Sequence, residues 1–167
     1  MKLLPLILTK TLNVLKFGLL VFILFFVFQS CDSRRVFDES ITLQNQEWNR
    51  AELLKYKVNI DDTLALNNFF VVMRNTSDYP YSNIYFFMNT HFPDGKIARD
   101  TLECFLADQD GKWLGKASGS LWTCKVLFRQ GFRFPTKGSY TFELEQAMRV
   151  VNLKGLSEIG IRIEKMK

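Results

Sequence analysis

Cys31 is the residue whose setting most clearly calls for chemistry. Ahead of it stand Lys2, Lys10 and Lys16, an unbroken apolar run from Phe17 to Phe28, and then Gln29 and Ser30. A basic start, a short apolar centre and a small residue before the cut are the parts of a secretory signal peptide. A cysteine directly after that cut is where a bacterial lipoprotein receives its lipid: diacylglyceryl on the sulfur and, in many bacteria, an acyl chain on the new amino terminus. The apolar run is 12 residues long, short of the roughly 20 needed to cross a bilayer. An uncleaved helix and a plain secretory signal with an incidental cysteine are the competing readings. Phe28 is bulkier than the usual residue at its place in the lipobox.

The other reactive side chains are sparse. Cys104, in Leu-Glu-Cys-Phe-Leu, and Cys124, in Trp-Thr-Cys-Lys-Val, each share a strand face with apolar neighbours two residues away. They are candidates for a disulfide in an oxidising compartment, or for two buried free thiols. His91 is the sole histidine and the cysteines lack close-spaced ligand pairs, so no metal site is expected. The nucleophile elbow, the phosphate-binding loop, the dinucleotide fingerprint and the zinc-protease helix are missing. Asp100, Glu103, Asp108, Asp110, Glu143 and Glu145 offer carboxylates, but none is singled out for acid–base work. Asp108-Gln-Asp110-Gly111 resembles part of a calcium loop, without its third ligand and distal acid, and reads as a β-turn. Trp48, Trp113 and Trp122 could stack on sugar rings or fill a core.

Charge narrows the partners. The chain carries a formal +5, and removing the leader's three lysines leaves about +2. A nearly balanced surface with interspersed signs argues against nucleic acid. Residues 1–30 are assigned to the signal peptide, 31–40 to the lipidated cysteine and a short tether, and 41–167 to one folded domain.

That domain reads as strands. Segments at Ile41–Ile60, Leu64–Met73, Asn83–Phe92, Ile97–Leu106, Leu121–Phe128, Tyr140–Glu145 and Ile159–Glu164 alternate or run apolar, separated by turn clusters rich in Asn, Asp, Gly and Pro. Trp113–Gly119 reads as loop, Val150–Leu156 is ambiguous, and a short helix fits Glu145–Val151. Many short strands without a long 3.6-residue period give an all-β fold, an antiparallel β-sandwich of jelly-roll type. Two segments are apolar on both faces, Leu66–Met73 and Ile84–Met88. Either loops, a helix or a bulge cover the outer face, or an aromatic patch is kept for a partner, with Tyr79, Tyr81, Tyr85 and Phe87 as its contacts.

An ordered set of blocks carries a resemblance. Val36-Phe-Asp-Glu39, Arg74-Asn-Thr-Ser-Asp-Tyr-Pro-Tyr-Ser-Asn-Ile-Tyr85, Phe92-Pro-Asp-Gly-Lys96, Asp100-Thr-Leu-Glu103, Ala107 to Gly115, Gly138 to Arg149 and Ile159 to Glu164 together resemble the gliding-motility lipoprotein GldH family of Bacteroidetes. The resemblance covers most of the chain after the leader. It implies a small non-enzymatic envelope lipoprotein needed for gliding and linked to type IX secretion, with Cys31 as the lipidation position and no catalytic residues or cofactors. Expected partners are the membrane, through the anchor in the outer rather than the inner bilayer, and other gliding and secretion proteins; no small-molecule substrate is expected. The alternative reading is a carbohydrate-binding envelope lipoprotein.

Overall fold

The computed structural model describes residues 34–166, so Cys31 and the leader lie outside the described residues. Simple alternation sets the register of its sheets. In β3 (Leu54–Ile60), Leu54, Tyr56, Val58 and Ile60 are buried while Lys55, Lys57 and Asn59 are exposed. β9 (Gly138–Gln146) repeats the pattern, with Tyr140, Phe142, Leu144 and Gln146 inside. Period-two patterning of this kind buries one face of a sheet and leaves the other to water.

Two antiparallel sheets result. One is ordered β1 (Arg35–Thr42), β11 (Leu156–Lys165), β4 (Asn67–Thr76), β8 (Leu121–Phe132) and β7 (Lys116–Ser118). The other is ordered β3, β9, β5 (Asn83–His91) and β6 (Ile97–Phe105). A ribbon of β2 (Glu47–Asn49) and β10 (Asn152–Lys154) closes one end. Counting only the eight longer strands in chain order, the sheets run 1-8-3-6 and 2-7-4-5, the two-sheet winding of a jelly roll.

The core lies between the sheets. Phe69 of β4 meets Phe142 of β9 edge to face, with ring centroids 4.9 Å apart. The Tyr56 hydroxyl donates across the sandwich to the carbonyl of Ile159 at 2.6 Å. Trp48 is wholly buried, and its indole N–H donates to the Glu52 carbonyl.

Four expectations are corrected here. Residues 35–40, expected as tether, form most of β1, because Phe37 and Ile41 pack against the core as the strand adds to β11. No helix forms over Glu145–Val151: β9 runs to Gln146, whose side chain accepts from the Met148 amide and donates to the carbonyls of Val150 and Val151. That bonding satisfies the corner without helical turns. The Trp113–Gly119 loop contains β7, paired with β8. The doubly apolar strands have no helix over them among the described residues. Long cations from neighbouring strands cover them instead: Lys125 Nζ lies 3.9 Å from the Phe70 ring centroid, and the Arg99 guanidinium 4.1 Å from that of Phe87. Such side chains lay their methylenes and charge over aromatic faces while staying in contact with water. A bulge does occur where β4 pairs with β8, between Asn67 and Phe70.

Candidate functional site

The four patch aromatics do not share one open surface. Tyr79 is buried, and its hydroxyl donates to the Asn83 carbonyl at 2.8 Å. Gly155 is the cause: at φ +84° its α-carbon approaches the Tyr79 backbone so closely that a β-carbon there would sit 2.5 Å from it. Tyr79 therefore leaves the patch. Tyr81 is 37% exposed and packs edge to face on Tyr79. Tyr85 is 39% exposed, and its bond to Glu103, followed by slight desolvation, raises its phenol above the ordinary value. Phe87 lies under Arg99.

Cys104 and Cys124 come from opposite sheets, on β6 and β8. In the structure both are free, buried thiols, one of the two states that the sequence left open. The Cys124 Sγ lies 3.7 Å from the carbonyl oxygen of Phe105, next in sequence to Cys104. Burial pushes the Cys104 thiol up to about 12, with Cys124 and Glu103 adding to the rise, and burial raises Cys124 as well. Neither group is a nucleophile near neutral pH.

The carboxylates are engaged by cations. Glu143 lies 2.7 Å from Lys55 Nζ and 3.1 Å from His91 Nε2. Glu145 pairs with Arg99, and Asp100 with Arg129. Asp108 turns its Oδ1 onto the amides of Asp110 and Lys112, the β-turn use of this motif. No cluster of three metal-ligating side chains occurs among the described residues. Trp113 and Trp122 are half-buried with centroids 5.9 Å apart, and Trp113 also leans on Tyr79.

One feature escaped the sequence reading. Between the sheets, on the side of β6 and β8, lies a cavity of about 150 Å³. Phe69, Phe128 and Phe142 line it, with Thr90, Ala98 and Asp100 on the β5–β6 side. Ala98 and Asp100 stand opposite Thr90 and Met88 in the β5–β6 ladder, on the face where Leu102 and Cys104 are buried. A methyl group and a carboxylate thus occupy positions where alternation calls for large apolar side chains, and space remains. Arg129 Nη2 reaches Asp100 across the two sheets at 3.6 Å. Arg133, also at the lining, donates its Nε–H to the Leu64 carbonyl at 2.9 Å. The small residue and the acid in the β6 alternation were the signal available in the sequence.

The two packed antiparallel sheets define the class first: a β-sandwich domain wound as a jelly roll. The chain belongs to the GldH lipoprotein family, which it matches over residues 35–163. It is 32% identical over 157 residues to the gliding motility lipoprotein GldH homolog of Christiangramia forsetii, covering 89% of this chain and 96% of that one. It is 30% identical over 142 residues to the gliding motility lipoprotein GldH of Flavobacterium johnsoniae, covering 81% and 87%. Among solved structures, dimeric latent PorU from Porphyromonas gingivalis superposes with a TM-score of 0.34 at 8% identity, covering 81% of this chain and 13% of that one.

Proposed function

We propose that this lipoprotein is a non-enzymatic docking module of the gliding and type IX secretion machinery, held by lipid on Cys31 in the outer membrane and acting through protein–protein contacts. Its family match along the whole folded domain carries the reading, with two relatives named for gliding motility that align over most of their length. The chemistry of the acids supports it. The Lys55 ion pair, with His91, holds Glu143 ionised below the ordinary glutamate range against the opposing effect of partial burial. A carboxylate so held does not serve as a general acid near neutral pH. A lipid anchor confines the search for partners to a surface and raises their effective concentration. The binding energy required of each contact falls accordingly.

The test is affinity capture of the full lipidated chain from envelopes after mild crosslinking. Gliding and secretion components should co-purify, and deletion of the gene should abolish spreading and cargo export. Retention of both activities in the deletion strain would end this reading. Sugar binding is the lesser alternative, resting on the half-exposed Trp113–Trp122 pair. It requires quenching of tryptophan fluorescence by oligosaccharide.

A further inference from the structure

The cavity between β6 and β8 is a built feature with five separate properties. Its size suits one ring or one branched side chain, since a cavity of this volume accommodates a benzene-sized group. Its walls set the rings of Phe69, Phe128 and Phe142 beside the charged groups of Asp100, Arg129 and Arg133. Its lining draws on two strands with free edges. β6 is the last strand of its sheet, and β8 is paired on its outer side only at Leu121–Thr123, by β7, among the described residues. Its border is cationic on balance. Arg129 is matched by Asp100, whereas Arg133 has no carboxylate partner among the described residues and spends one N–H on a backbone carbonyl. On the outer face of the same edge strand, apolar side chains stand at both ends: Ile97 is 63% exposed and Phe105 58% exposed.

We infer that this seam receives an extended peptide segment of a partner protein, with one aromatic side chain seated in the cavity and an adjacent acidic side chain on Arg133. Strand edges recognise extended backbone through main-chain hydrogen bonds, and pockets for alternate side chains add specificity. A fatty acyl chain shares the apolar-plus-carboxylate chemistry but needs a channel much longer than a ring-sized hollow. The inference deepens the docking reading and rests on it.

Fluorescence anisotropy on the full lipidated chain in mild detergent decides the matter. Three labelled, N-acetylated probes are compared: Thr-Val-Glu-Phe-Glu-Val-Thr, the same peptide with Ala for Phe, and the same peptide with Lys for both Glu. The first should bind saturably and at least tenfold tighter than the other two. Ala98→Phe, which fills the cavity, should weaken it tenfold or more. Arg133→Glu, a change at an exposed side chain with a single backbone contact, should do the same with an unaltered melting temperature. Equal binding of the three probes, no saturation, indifference to Arg133→Glu, or displacement of the first probe by laurate at equimolar level would each overturn the inference. If envelope partners still co-purify with both variants, the seam is refuted and docking stands on another surface. If they never co-purify with the wild-type chain, the docking reading itself fails.

Discussion

Glu143 shows how single residues here convert charge into pH dependence. Its ion pair with Lys55 is the main cause of its lowered pKa, His91 adds to it, and partial burial opposes it. Glu164 is lowered in the same way, first by Lys125 and also by Arg162. Both groups bind protons more weakly folded than unfolded, so their stabilisation is full above the ordinary glutamate value of 4.5. It fades as pH falls below that value and through the lowered folded pKa. Urea unfolding at pH 7, 5 and 3.5 should therefore give similar midpoints at the first two and a lower one at the third, and Glu143→Gln should shrink the drop. A buried hydroxyl gives a second residue-scale test. Tyr56→Phe removes the hydroxyl that donates to the Ile159 carbonyl and should cost about 1–3 kcal/mol, whereas Tyr85→Phe, on the exposed face, should leave the unfolding midpoint nearly unchanged. The outward positions of Phe70 and Phe87 could be read from sequence. Their covering by Lys125 and Arg99 could not, because it depends on which strand lies alongside.

Elements are placed by turns as much as by strands. Gly155, between β10 and β11, has φ +84° and meets the backbone of Tyr79; Gly111, in the turn after β6, has φ +77° and nothing within 4 Å. Replacement by alanine separates two effects that a left-handed glycine combines. Gly111→Ala pays conformational strain alone, about 1–2 kcal/mol. Gly155→Ala adds a backbone clash and should cost clearly more, about 3–4 kcal/mol, with loss of the β2–β10 end of the sandwich. Thermal melts of the two variants compare them directly. The Asp-Gly turns and the alternating strands were legible in the sequence because each is a local pattern. β1 was not, since its partner β11 lies far away in the chain. β7 and the Gln146 corner are local but carry no pattern: β7 is three exposed residues, and the corner rests on one amide side chain taking over the bonds of a turn. The seam cavity lay between these cases. Ala98 and Asp100 stood in plain alternation with Leu102 and Cys104, but only the jelly-roll winding brings Phe69, Phe128 and Phe142 over them.

At the scale of the whole molecule, anchoring and folding are separable, and that makes the anchor testable. The described strands begin at Arg35, and Val36 is the first described residue that packs against the core, so replacing Cys31 should leave the domain intact. On the proposed lipidation of Cys31, membrane retention follows from the acyl chains, at about 0.8 kcal/mol for each buried methylene, enough to make two or three chains effectively permanent. The wild-type chain should sediment with membranes and resist high-salt and carbonate washes, and globomycin should slow its migration on a gel by blocking processing. Cys31→Ser should shift the protein to the soluble fraction or leave it unprocessed, with the near-UV circular dichroism of the domain unchanged. Its loss of gliding should exceed what its abundance explains, because a freely diffusing domain gives up the surface concentration that weak contacts depend on. A variant that remains soluble, folded and fully active for spreading would show that docking proceeds at solution concentrations and that the lipid serves only for delivery.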